Sequence, residues 1–117
     1  MLTLPASTKI FLCTEVADMR RGFDGLAAMT REIIRVDPLS GHLFVFRNRR
    51  RDRMKVLYWD RDGFALWYKR LERGTFRFPA PCDDAHSVEV DYATLTLILE
   101  GIDVSGARRQ RRYQRTS

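Results

Sequence analysis

The sequence predicts a single-domain α+β fold: a small antiparallel meander of three to five strands with two helices. Three observations lead there. Runs rich in aromatic and β-branched residues at 43–47, 54–59 and 64–69 are separated by the turn-forming stretches NRRRDR and DRDG, as in adjacent antiparallel strands. Apolar residues recur at three- and four-residue intervals on either side of that block, which is the period of a helix face. The chain has 117 residues, which is room for one well-packed core and not for two.

Taken in order, residues 9–13 (KIFLC) are a short apolar run that reads as a first strand. Asp18 then offers itself as a helix N-cap. From Phe23 the positions Phe23, Leu26, Ala27, Ile33 and Ile34, with Thr30 between them, make one helix face to about Val36, despite Gly25. Asp37-Pro38-Leu39-Ser40-Gly41 stops that helix, because the residue before a proline is driven out of the helical region. The three meander strands follow, and residues 75–78 are a candidate fourth before Pro79 and Pro81. Residues 87–90 are short and extended. Asp91 is placed to cap a second helix that buries Leu95, Ile98 and Leu99 and stops at Gly101.

Residues 1–104 are therefore expected to form the domain. Residues 105–117 are read as a flexible, disordered tail, for they hold five arginines and no acid or large aliphatic residue. The N-terminus lacks a basic segment followed by an apolar core, and no run approaches a membrane span, so a cytoplasmic location without membrane contact is expected. Cys13 and Cys82 are far apart and outside any CxxC pair, which removes the zinc-ribbon and redox-motif readings and leaves two reduced thiols.

Charge carries the functional signal. The net charge is +6, and only Lys9, Lys55 and Lys69 are lysines, so arginine supplies most of the positive charge. Its planar fork matches phosphate in a bidentate way and stacks on bases. The densest cluster is Arg47-Asn48-Arg49-Arg50-Arg51-Asp52-Arg53-Met54-Lys55, at the tip of an expected hairpin. A projecting tip of this charge suits a phosphate backbone, with Asn48 able to contact a base edge; the plainer reading is a solvated turn that discourages edge aggregation. Arg20-Arg21-Gly22 opens the first helix, where exposed N–H groups favour an anion. The tail arginines Arg108, Arg109, Arg111, Arg112 and Arg115 carry five of the six net charges and add sequence-independent attraction, or simply solubility.

Trp59, Trp67, Tyr58, Tyr68, Phe76 and Phe78 interleave with Lys55, Lys69, Arg70 and Arg77, as in sheets that stack single-stranded bases. Strand alternation sends Tyr58 and Trp59, and likewise Trp67 and Tyr68, to opposite faces, so at most half of them can be a platform. Catalytic patterns are not found: Asp60 and Asp62 flank Arg61 in a turn, His42 and His86 lack neighbours at motif spacing, and no glycine-rich phosphate loop exists. No enzymatic activity, cofactor or metal site is expected.

Several spaced blocks then point to a family. Asp18-Met19-Arg20-Arg21-Gly22-Phe23-Asp24-Gly25-Leu26, Gly41 to Arg49 and Lys55 to Asp60, followed by Gly63-Phe64, Lys69-Arg70-Leu71-Glu72, Gly74, Phe76 and Pro79, closely resemble the TnpB accessory proteins of IS66-type insertion sequences. The likeness covers roughly residues 8–103 and departs at Trp67-Tyr68 and in the arginine tail. It implies a transposition accessory factor, unrelated to the RNA-guided nucleases sharing the TnpB name, that acts beside a separate DDE transposase in DNA recombination. It assigns no catalytic residue.

The expected function is thus DNA binding, at element ends or in the transposition complex, through Arg20, Arg21, Arg47, Asn48, Arg49, Arg50, Arg51, Arg53, Lys55, Lys69, Arg70 and the tail arginines Arg108, Arg109, Arg111 and Arg112. The alternative is a protein adaptor that regulates the transposase without touching DNA, with Arg20, Arg21, Lys69 and Arg70 paired to its acids. The sequence leaves the oligomeric state open.

Overall fold

The computed structural model describes residues 5–82 and 84–104. Five strands form one sheet: β1 (Ile10–Cys13), β2 (Leu43–Arg47), β3 (Arg53–Asp60), β4 (Gly63–Arg70) and β5 (Ser87–Val90), in the order β4-β3-β2-β1-β5. The α+β class and the meander of β2, β3 and β4 are as the aromatic runs predict. One pair differs. β5 is antiparallel to β1, but β1 and β2 run parallel, with Ile10 opposite Leu43. The connection between them is a helical crossover, which returns the chain to the same end of the sheet before β2 begins.

Alternation along the strands feeds two cores. Ile10, Leu12, Leu43, Val45, Met54 and Val56 face one way, under α2 (Tyr92–Leu99), with Leu95 and Ile98. Cys13, Phe44, Phe46 and Leu57 face the other, under α1 (Phe23–Met29), with Leu26 and Ala27. Covering both faces explains why β2 buries four successive residues instead of alternating.

The first helix starts later than expected. Gly22, not Asp18, is its N-cap, and no side chain caps it. Asp18 instead closes its own turn, accepting from the Arg20 N–H at 2.9 Å and pairing with the Arg20 guanidinium; its short side chain reaches the loop's amide before it can reach the helix's. The helix then widens to a π-helix over Thr30–Ile34, with the Arg35 N–H donating to the Thr30 carbonyl at 2.8 Å. The buried Thr30 hydroxyl donates to the Leu26 carbonyl at 2.9 Å, back-bonding of the kind that distorts helices. Phe23, expected on the buried face, is 47% exposed, because it sits at the first helical position beyond the sheet's cover.

The second helix follows the sequence reading. Asp91 accepts from the Thr94 N–H at 2.7 Å as N-cap. At the other end Gly101, at φ 77°, lets the Ile102 N–H reach the Leu97 carbonyl. Residues 75–78 are not a strand. Phe76 is fully buried in the α2-side core, while its N–H donates to the Arg51 carbonyl and its carbonyl accepts from Arg47, so no sheet neighbour is left for it. The expected tail, 105–117, lies outside the described residues. Among those described, no helix is long and apolar enough to cross a membrane, and Cys13 and Cys82 are free thiols.

Candidate nucleic-acid interface

Strands β2 and β3 are joined by a tight turn at 48–52, and Asn48 builds it. Its carbonyl oxygen accepts from the Arg53 N–H at 3.0 Å, its amide donates to the Asp52 carboxylate at 2.7 Å, and its backbone carbonyl accepts from Arg51. The Asn48 hydrogen bond, with Arg50 and Arg53 nearby, holds the Asp52 carboxyl below its ordinary range. Arg51 takes the left-handed conformation there, at φ 64°. Arg49, Arg50 and Arg51 project to solvent, and their side chains make no hydrogen bond or ion pair among the described residues.

The segment before α1 is brought beside this turn by two contacts. The Ala17 N–H donates to the Arg47 carbonyl at 3.0 Å. The Lys55 ammonium donates to the carbonyls of Met19 at 2.7 Å and Arg21 at 2.9 Å, and lies 4.7 Å from the centre of the Tyr68 ring. Lys55 is only 7% exposed, so its charge is satisfied internally. As a result Arg20, Arg21, Arg49, Arg50 and Arg53 line one open groove of about 780 Å3, although nearly thirty positions separate the two groups.

The groove is not uniformly basic. Glu15, Asp18, Glu32 and Asp52 also line it, as do Val16 and Met19. Hydrogen bonds from the Arg20 guanidinium and then from the Arg20 backbone N–H hold Asp18 well below its usual range, at about 2. Arg20 itself stays 91% exposed. Sequence reasoning missed the two glutamates, since Glu15 and Glu32 lie outside every motif and only the fold carries them to the arginines.

Other expected contact residues point elsewhere. Arg47 turns inward, donating to the Phe76 carbonyl at 2.9 Å with its guanidinium 4.0 Å from the centre of the Phe78 ring. Burial, with the charge of Arg51, pushes it down to about 10, so it stays charged at neutral pH. Lys69 donates to the Leu99 carbonyl at 2.8 Å, a cation at the C-terminal end of α2. Arg70 pairs with Glu72, and Arg53 donates to the Tyr68 hydroxyl at 3.2 Å. Arg108, Arg109, Arg111 and Arg112 lie outside the described residues. The aromatics give no continuous platform: Trp67 packs on the α2-side core, and Trp59 packs edge-on against Phe64. Among the described residues, no group of three His, Cys, Asp or Glu side chains is placed to hold a metal ion.

Fold and groove together define the class: a small α+β domain that gathers arginines from two distant loops at one end of its sheet. The chain belongs to the IS66 Orf2-like family, whose sequence profile matches residues 8–109. That membership gives it an accessory role in transposition of IS66-type insertion sequences. Similar proteins include y4hO of Sinorhizobium fredii, 37% identical over 103 residues, with 88% of each chain covered. The y4jC protein of the same organism is 36% identical over 102 residues, covering 87% of this chain and 86% of that one. No solved structure matches the chain.

Proposed function

We propose that this accessory protein binds DNA in the transposition complex through the arginine groove and the adjoining hairpin tip, and that the chemistry belongs to a separate DDE transposase. The observation that carries the reading is the convergence of Arg20 and Arg21 with Arg49, Arg50 and Arg53 on one open surface, with Arg51 beside it. The acids Glu15, Asp18, Glu32 and Asp52 offset part of this charge, and the exposed guanidinium groups of Arg49, Arg50 and Arg51 at the adjoining tip leave a positive surplus that a polyanion relieves. Arg47, Asn48, Lys55 and Lys69 act as positioning residues, since their polar groups are engaged within the fold. Arg70 and the tail arginines add attraction without sequence preference.

Holding DNA in a defined geometry raises the rate of a step performed by another subunit, without any reacting group on this chain. The test is titration of the purified protein with element-end duplex over a range of salt. Several phosphate contacts give a steep negative slope of log affinity on log salt. Absent binding to DNA, together with retention on immobilised transposase, would overturn the reading in favour of a protein adaptor. The mixed charge and exposed Val16 of the groove are the features that would serve such an adaptor.

A further inference from the structure

Strand β4 stands at the edge of the sheet, and its outer side pairs with nothing among the described residues. Edge strands are ordinarily blunted by proline, by a bulge, by brevity or by charge. β5, the opposite edge, has four residues. β4 has eight, contains no proline, and pairs with β3 through eight consecutive positions without a bulge. Lys69, the one lysine in the strand, is tied to the Leu99 carbonyl on the α2 face.

The phase of the ladder shows which backbone groups look outward. Asp60 and Gly63 close a two-residue turn, and the Leu71 N–H donates to the Asp52 carbonyl at 2.8 Å. The odd-numbered residues of β4 therefore bond to β3. The N–H and C=O groups of Phe64, Leu66, Tyr68 and Arg70 face away from it.

We propose that this edge is a self-association surface, on which a second copy of the chain adds its own β4 antiparallel about a two-fold axis to make a ten-stranded sheet. A two-fold antiparallel ladder between outward-facing groups selects few registers. Centred on Leu66, it sets Leu66 against its own copy and Phe64 against Tyr68, and it brings Arg70 at the strand's end beside Asp62 in the turn that precedes Gly63. Symmetry makes each of the latter pairs twice. Centred on Trp67 instead, Arg70 would face Phe64 and keep Glu72 of its own chain as its acidic neighbour, without the added contact to Asp62. The strand thus ends at the basic pair Lys69-Arg70, while the turn that precedes it holds Asp60 and Asp62 around Arg61, so antiparallel self-pairing brings each basic end beside the partner's acidic turn residues. Tyr68, 47% exposed in one copy, gains an aromatic neighbour. The inference does not depend on DNA binding.

Sedimentation equilibrium of the full chain tests it. The wild type should form a concentration-dependent dimer. Arg70→Asp and Asp62→Arg should each weaken it by about tenfold or more, and the double reversal should restore it. Leu66→Pro removes no bond to β3, because that N–H faces outward, and should yield a monomer with an unchanged circular dichroism spectrum. A monomeric wild type at every soluble concentration, or a dimer indifferent to both charge reversals, would overturn the proposal.

Discussion

The Lys55 ammonium donates to the Arg21 carbonyl at 2.9 Å, and through this bond a central strand fixes the loop that precedes α1. A second bond, to Met19 at 2.7 Å, fixes the same loop one turn earlier. Lys55→Met keeps the apolar stem and removes both donors, leaving two carbonyls without their partner. The expected cost is about 1–3 kcal/mol. Chemical denaturation reads that loss, and hydrogen exchange should show the amides of residues 19–22 losing protection. Unchanged stability would mean that water replaces the ammonium at no cost.

Asp18 competes with any anion for Arg20. Asp18→Asn keeps an oxygen for the Arg20 N–H but removes the ion pair, so DNA affinity should rise about two- to fivefold, the range of an exposed pair. Weaker binding would show that Asp18 positions Arg20 for its partner.

The same pair has a pH signature. Because the folded carboxyl is depressed to about 2, its contribution is present above the ordinary value of 3.8 and is lost as pH falls through about 2. Carboxyl chemical shifts should place the Asp18 midpoint near 2, and Arg20→Ala should raise it only part of the way to the ordinary value, because the residue-20 N–H still donates to the carboxylate.

Among the described residues, three other than glycine adopt positive φ, and all are arginines: Arg35, Arg51 and Arg61. Glycine relieves the clash of Cβ in that region, so Arg51→Gly and Arg61→Gly should each stabilise the fold by about 0.5–1 kcal/mol. Thermal unfolding measures this. Only Arg51→Gly should also weaken DNA binding, since Arg51 adjoins the groove and Arg61 stands at the opposite end of β3. Equal losses of affinity in both would mean that net charge alone attracts DNA.

Much of the fold was legible because local signals and tertiary packing agree. The aromatic runs of β2, β3 and β4, the Asp91 cap and the Gly101 stop each sit where pattern and turn chemistry place them. The parallel pairing of β1 with β2 was not, because strand direction depends on which end of the sheet the chain re-enters after the helical connection, and no local pattern in residues 14–42 specifies that. Nor was the site's division of labour. Arg49 and Lys55 look alike in the sequence, but strand alternation buries Lys55 among backbone carbonyls while the turn exposes Arg49. Asn48 reads equally well as a base contact or a turn builder, and its four hydrogen bonds in the turn show the second use.

The central claim is that the two arginine loops form one DNA-binding surface, and the salt dependence of DNA affinity in matched variants tests it most directly. Arg20→Ala with Arg21→Ala, and Arg49→Ala with Arg50→Ala, should each flatten the slope of log affinity on log salt by about 0.9 for every phosphate contact removed. Lys9→Ala with Arg61→Ala, which removes the same charge at the opposite end of the sheet from the groove, should leave the slope unchanged. Equal flattening in all three double variants, or none in the first two, would contradict the account.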